Sequence, residues 1–202
     1  EGIIMKDKRY LHIGCGSNIL PEPFENLDIR KFEGVDHVSQ AYPLELFEDN
    51  TFDLVYASHI LEHYNRDDIG KVLEEWTRIT KVGGRVRLSV PSFENAVKIY
   101  QKTNKIENVI GPISGGQTYD YEFHYCIFDE RSLTMLMNKC GLTAVHRWSY
   151  ERTSHTDYWD FSQAITCGEH VSLNLEGRKK DSETTEFKDL FQTTKTKMGL
   201  TK

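Results

Sequence analysis

Apolar residues follow two alternating rhythms along this chain. Short apolar runs at 9–13, 26–29, 52–57 and 85–90 are bounded by turn residues and read as strands, with a weaker one at 35–39. Between them, Ile69, Val72, Leu73, Trp76 and Ile79 fall at helical spacing on one face. For that helix Asp67 is the candidate N-cap, Arg78 and Lys81 sit in the last turn, and Gly83-Gly84 is the expected stop. A second helix is predicted over 93–103, with Ala96, Val97 and Tyr100 on one face. A third follows Asp129 as its cap and carries Leu133, Leu136, Met137 and Cys140 up to Gly141. Residues 142–148 read as another strand. Val171, Leu173 and Leu175 alternate with Ser172, Asn174 and Glu176 to give a last one. Strands separated by helices predict a three-layer α/β domain with a mostly parallel sheet.

Three segments depart from this rhythm. Gly14 to Pro23 is too short and too rich in Pro, Asn and Ser for a crossover helix. Residues 104–128 and 150–168 are long, polar and aromatic, as lids and binding loops often are. The domain is expected over 5–178, with Met5 as a plausible natural start. Residues 179–202 form either a polar tail or a docked helix showing Phe187, Leu190 and Phe191.

The 202 residues suit one domain with a sizeable core. With 25 Lys+Arg against 31 Asp+Glu, the net charge of -6 lacks the basic footprint of a dedicated nucleic-acid binder. No apolar run approaches the roughly 20 residues that span a bilayer, and no charged-then-apolar leader is visible, so a cytoplasmic protein is expected. Cys15, Cys126, Cys140 and Cys167 make no Cys-x-x-Cys pair and are expected as reduced thiols.

Candidate chemistry gathers just past the strand ends, where open parallel sheets bind their ligands. Tyr10-Leu11-His12-Ile13 runs into Gly14-Cys15-Gly16, a turn that is either merely tight or open to a ligand's approach. Asp28, Ser39-Gln40 and Ala57-Ser58-His59 close three further strands. Four strand ends on one edge favour a binding site.

In this order, Leu11-His12-Ile13-Gly14-Cys15-Gly16-Ser17-Asn18, Asn26-Leu27-Asp28-Ile29, Phe52-Asp53-Leu54-Val55-Tyr56-Ala57-Ser58-His59-Ile60-Leu61-Glu62-His63 and Gly83-Gly84-Arg85-Val86 resemble the class I S-adenosylmethionine-dependent methyltransferases. The subgroup most similar is the small type-11 enzymes linked to saccharide biosynthesis. The resemblance implies a Rossmann-like αβα sandwich with seven strands, the last antiparallel. It also implies S-adenosylmethionine as cofactor and S-adenosylhomocysteine as product. Carried over by position, Gly14, Cys15, Gly16 and Asn18 line the methionine part. Asp28 takes the ribose hydroxyls, Ser39 and Gln40 lie by the adenine, and Ala57, Ser58 and His59 face cofactor and substrate. The family's acidic residue after the third strand is missing here, and the helix after the first strand is nearly absent.

The expected reaction moves a methyl group to an oxygen or nitrogen of a small molecule, with a saccharide or nucleotide-sugar as the class the subgroup implies. His59 and His124 are the candidate bases for a hydroxyl acceptor. No nucleic-acid or membrane partner is expected, and the oligomeric state is open. Three rival readings use the same residues. A nicotinamide-dependent oxidoreductase needs a third glycine where Ile19 stands. A non-catalytic cofactor-binding or scaffold domain would show the same cofactor motifs. His59-Ile60-Leu61-Glu62-His63 spells an inverted zinc-protease pattern, but it falls at a strand-to-loop junction rather than on a helix, so no metal is expected.

Overall fold

A computed structural model describes residues 8–181, so the tail beyond them, with Phe187, Leu190 and Phe191, and Met5 at the other end lie outside the described residues. Seven strands form the main sheet: β1 (Tyr10–Ile13), β2 (Phe24–Asp28), β3 (His37–Val38), β4 (Phe52–Ser58), β5 (Thr80–Pro91), β6 (Leu142–Arg147) and, last in the chain, Ser172–Lys179. A separate two-stranded hairpin, β7 (Ile165–Thr166) with β8 (Glu169–His170), precedes that last strand, which is therefore β9. The sheet order is β3-β2-β1-β4-β5-β9-β6. Strands β1 to β5 pair in parallel, and β9 runs antiparallel to both neighbours, β5 and β6. The chain reverses its direction of travel across the sheet between β1 and β4, which makes their carboxyl ends the switch point.

Alternation along the strands decides which layer each side chain enters. Leu11, Ile13, Val55, Ala57, Val86 and Leu88 point to one face. There they meet Val72, Leu73, Trp76 and Ile79 of α1 (Ile69–Ile79) and, from the helix Glu130–Lys139, Leu133 and Met137. Trp76 is fully buried and its indole N–H donates to Ala41 O at 2.8 Å, tying the 41–50 loop to the helix. The helix α2 (Phe93–Thr103) has the predicted bounds, with Ser92 as its cap. Its buried residues Ala96 and Ile99 form a separate small cluster with Val109. The short α3 (Ile110–Ser114) gives the 104–128 connection some helix of its own, and Glu130–Lys139 is α4, opened by the predicted Asp129 in a capping box with Ser132.

The opposite face is covered differently. The crossovers β1–β2, β2–β3 and β3–β4 contain no helix. Tyr10, Leu54 and Tyr56 pack there against Leu20, Phe24 and Trp148. The 148–163 connection lays His155 against Tyr56 and Phe24, and Asp160 accepts from the Tyr56 hydroxyl at 2.5 Å. Beside it, Glu176 on β9 pairs with Arg87 on β5 at 2.6 Å, and the Arg87 guanidinium lies 5.0 Å from the Trp148 ring centroid. This layer is largely irregular and polar, and hydrogen bonds and ring contacts hold it.

Two local expectations are corrected. Gly83-Gly84 does not stop α1: the helix ends at Ile79, and Thr80 is already extended and paired with Phe52. The glycines instead serve an irregularity inside β5, where the register shifts. Gly83 has φ +75°, and a Cβ on Gly84 would lie 2.8 Å from Lys81 O and 3.0 Å from Asp53 O. Nor does Asp67 cap α1. The Asn65 side chain accepts from Asp67 N at 2.9 Å and Asp68 N at 3.1 Å, and Asp68 occupies the cap position.

Buried histidines on the polar face predict an acid limb in stability. Burial pushes His12 and His155 down to about 4, and neither ring nitrogen of His155 has a hydrogen-bond partner. An unfolded histidine titrates near 6.5. Between those values the unfolded chain takes protons that the folded chain refuses, so stability is complete above pH ~6.5 and is lost as pH falls towards 4. Each histidine contributes a slope of up to about 1.4 kcal/mol per pH unit in that window. Urea unfolding of His155→Phe is expected to show a shallower loss from pH 6.5 to 4.5 than the unmutated chain. An identical slope would assign the acid limb to other groups.

Candidate functional site

The switch-point crevice is built from four strand ends. At the end of β1 the chain turns sharply: Gly14 N and Cys15 N both donate to Leu27 O, at 2.7 and 3.0 Å. Gly14 and Gly16 have φ +69° and +55°, a region that glycine enters without strain. Their surroundings differ. A Cβ on Gly14 would lie 2.0 Å from Ile60 Cδ1, whereas a Cβ on Gly16 meets nothing within 4 Å. Gly16 therefore presents the open backbone of the turn, while Ile60 covers Gly14. The Cys15 side chain is buried, and burial pushes its thiol up to about 12, so it is inert and offers only its backbone to a ligand. The buried Asn18 Nδ2 has no hydrogen-bond partner.

Asp28, at the end of β2, holds this turn. Its Oδ2 accepts from Gly16 N at 2.8 Å and its Oδ1 from Arg30 N at 2.8 Å. Arg30 Nε also lies 3.4 Å from Oδ1. A carboxylate has about four acceptor sites, so the spare capacity lies on Oδ2. Ser39 N donates to Asp28 O at 3.0 Å, which ties the end of β3 to the same corner. Gln40 is exposed. The Arg30 guanidinium stacks over Phe32 and over Tyr119, bringing the 104–128 segment to this edge.

At the end of β4 the candidates divide. Ala57 faces the helical core, so only its backbone reaches the strand end. The Ser58 hydroxyl is buried without a partner. His59 has φ +56°, uncommon for a non-glycine residue and typical of strained functional corners. Its Nε2 lies 2.7 Å from Ser172 Oγ, and Ser172 Oγ–H donates to Phe161 O at 2.6 Å. The ring packs on Phe161, and burial followed by the nearby His124 and His63 lowers it to about 3. His59 is thus neutral at physiological pH and points inward.

Leu61–His63 forms a 3₁₀ turn rather than a metalloprotease helix. Its Glu62 is completely buried, and neither carboxylate oxygen has a hydrogen-bond partner. Glu62 O accepts from Tyr125 N and Cys126 N, which anchors the 104–128 segment here and delivers His124. His124 Nε2 lies 3.9 Å from Glu62 Oε1, and its Nδ1 lies 3.0 Å from Pro112 O. Burial lowers the His124 imidazole and keeps it neutral. The sequence pattern flagged His59 and His124 separately. Glu62 stands out only in the fold, where it is fully buried with His59 Nδ1 at 3.3 Å and His124 Nε2 at 3.9 Å from Oε1.

This edge offers a polar ligand a buried donor, open backbone and a carboxylate. Asn18 Nδ2 is an unused buried donor for a carboxylate, Gly16 gives open backbone, and Asp28 has acceptors to spare. Comparisons with known proteins give a family-model match and a shared fold. The family model "Methyltransferase domain" (Methyltransf_11) matches residues 30–88, which hold β3, β4, α1 and most of β5. No curated protein matches the chain. Among solved structures, a S-adenosylmethionine-dependent methyltransferase of Thermotoga maritima, described as a possible histamine N-methyltransferase, is 20% identical over 88% of this chain and 84% of that one, with TM-score 0.55. A S-adenosylmethionine-dependent methyltransferase of Methanosarcina mazei is 16% identical over 88% and 94%, with TM-score 0.56. The 1,6-didemethyltoxoflavin-N1-methyltransferase of Burkholderia thailandensis, solved with S-adenosylhomocysteine, is 16% identical over 86% and 72%, with TM-score 0.53. At these identities the likeness is one of fold: the Rossmann-like methyltransferase sheet with an antiparallel final strand.

Proposed function

We propose that this chain is a S-adenosylmethionine-dependent methyltransferase acting on an oxygen or nitrogen of a small molecule. The observation that carries the reading is the Gly16–Asp28 corner: a glycine turn with open backbone, pinned by a buried carboxylate that keeps free acceptor capacity at the sheet's switch point. The methyltransferase-domain match and the methyltransferase fold support it. When bound, the cofactor supplies a methyl group already activated by a sulfonium.

The chain's own residues hold and orient. Asn18 Nδ2 and the backbone at Gly14, Cys15 and Gly16 receive the amino-acid arm. Asp28 takes the ribose diol, and Ser39 with Gln40 borders the base. Ala57 through its backbone, with Ser58 and His59, forms the wall towards the acceptor. Positioning of this kind is worth roughly 7–11 kcal/mol of barrier. The 104–128 and 150–168 segments meet this edge through Tyr119 against Arg30 and Phe161 against His59, which supports their assignment as substrate-side lids. Exposed Tyr121, Tyr125 and Trp159 on the same segments suit a ring-bearing acceptor such as a saccharide or nucleotide-sugar.

His59 and His124 remain the titratable groups on the acceptor side. His124 is favoured as the proton acceptor, because Ser172 and Glu62 flank the two His59 nitrogens. The test is transfer of labelled methyl from S-adenosylmethionine into a small-molecule extract. Label in a new low-molecular-weight product is expected. Label that stays entirely with the cofactor would favour a cofactor-binding scaffold.

A further inference from the structure

We propose that Glu62 is a positioning residue that acts as a neutral acid: its carboxyl O–H is held against His59 Nδ1 and fixes that imidazole at the acceptor side. The roles of His59 and His124 are those of the methyltransferase reading, on which this inference rests; the place of the proton does not depend on it. Glu62 is wholly buried in the turn Leu61–His63, and neither carboxylate oxygen has a hydrogen-bond partner. An ionised carboxylate without a donor is costly to bury.

Every imidazole near Glu62 turns its N–H elsewhere. A carbonyl only accepts, so His124 Nδ1, 3.0 Å from Pro112 O, carries a proton, and the neutral ring leaves Nε2 bare. That bare nitrogen lies 3.9 Å from Glu62 Oε1. Ser172 gives its one hydroxyl proton to Phe161 O at 2.6 Å, so His59 must donate Nε2–H to Ser172 Oγ at 2.7 Å. A neutral His59 then has a bare Nδ1, 3.3 Å from Glu62 Oε1. His63 has Nδ1 3.0 Å from Phe123 O and Nε2 3.1 Å from His59 O, so its N–H goes to a carbonyl. The nearby Cys126 thiol, a weak donor, is directed at Tyr64 O at 3.3 Å. Among the described residues, no lysine or arginine forms an ion pair with Glu62.

A carboxylate in this place would face two lone pairs and no donor. A carboxylic acid resolves the conflict. His59 Nδ1 is the nearer acceptor for its O–H, and the last torsion of a glutamate is soft enough to turn the proton there. Burial pushes the Glu62 carboxyl up to about 8 and the His59 imidazole down to about 3, which agrees with a proton on the acid. The rival arrangement, a His59 imidazolium facing a Glu62 carboxylate, would leave Oε2 buried and charged with no donor of its own.

With both nitrogens engaged, His59 is held in its φ +56° corner as a fixed wall rather than a base. Ser172 opens β9 and Phe161 belongs to the 150–168 segment, so the same chain of contacts ties the end of β4 to both. A neutral Glu62 also leaves the His124 Nε2 lone pair for the acceptor's proton. An ionised Glu62 would draw a proton onto that nitrogen first.

The test reads the protons directly, on the full chain near neutral pH and without cofactor or acceptor. Ring ¹⁵N shifts of His59, assigned by their loss in His59→Gln, and the infrared carbonyl band of a protonated carboxyl are measured in the unmutated chain, Glu62→Gln and Glu62→Leu. Far-UV circular dichroism controls for folding. A His59 protonated on Nε2 alone is expected, with an acid band that titrates away near pH 8 and is missing from both variants. The Gln amide N–H can replace the O–H, so Glu62→Gln is expected to keep the His59 shifts, whereas Glu62→Leu moves the Nδ1 shift. A His59 protonated on Nδ1, or an unmutated chain without the acid band, would overturn the proposal whether or not methyl transfer is found. In the labelled-methyl assay, Glu62→Gln is expected within about threefold of unmutated turnover and Glu62→Leu about tenfold lower, with S-adenosylhomocysteine affinity unchanged. Equal loss in both variants would overturn the positioning role. An acid band without any methyl transfer would count against the methyltransferase reading alone.

Discussion

Replacing Asp28 by alanine is expected to weaken S-adenosylhomocysteine binding at least tenfold. The Asp28 carboxylate anchors Gly16 N and Arg30 N at 2.8 Å each, and in the proposed assignment its remaining acceptor capacity takes the ribose. Hydrogen bonds to a charged group are worth about 1.5–3 kcal/mol each. Losing the two ribose contacts therefore costs about 3–6 kcal/mol, which is about 10²-fold or more in affinity. The same substitution frees the Gly16 turn, so the loss combines contact and preorganisation. Asp28→Asn separates them: it keeps one carbonyl acceptor and the side-chain volume, and is expected to fall between the two. Calorimetry on both variants, with the thermal midpoint as a folding control, checks this. Unchanged affinity in a folded Asp28→Ala would remove Asp28 from the ribose role.

His124→Ala should act on the other half of the site. A positioned proton acceptor contributes about 10²–10⁴-fold, and a loss of that order in turnover is expected with S-adenosylhomocysteine affinity within about twofold of wild type. His124 lies 3.9 Å from Glu62 and makes none of the hydrogen bonds of the Gly16–Asp28 corner, so the two readouts are expected to separate. Wild-type turnover would reduce His124 to a strut between Pro112 O and the 3₁₀ turn. A combined loss of turnover and cofactor affinity would mean that the 104–128 segment had come loose.

Much of this fold is written in local patterns. The bounds of α2, the Asp129 cap of α4 and the antiparallel alternation that became β9 were readable because each rests on neighbours in sequence. Gly83-Gly84 misled because two glycines after a helical stripe look like a stop, whereas here they allow β5 to shift register beside Asp53 O. The irregular outer layer was invisible for a different reason. Tyr56–Asp160 and Arg87–Glu176 pair residues far apart in the chain, and no periodicity encodes them.

The site divides in the same way. Gly16 and Asp28 stand out from spacing after strands. Gly14 stands out too, but its glycine is required as much by Ile60 as by any ligand. Glu62 is notable only in three dimensions, through its burial and its distances to His59 and His124. Among the described residues, no helix is long and apolar enough to cross a membrane.

The most direct measurement is a calorimetric titration of the unmutated chain with S-adenosylhomocysteine and, in parallel, with NAD. Saturable one-to-one binding of S-adenosylhomocysteine with no heat from NAD is the expected result. Binding of NAD, or no binding of S-adenosylhomocysteine by a folded chain, would contradict the assignment of the Gly16–Asp28 corner as a sulfonium-nucleoside site.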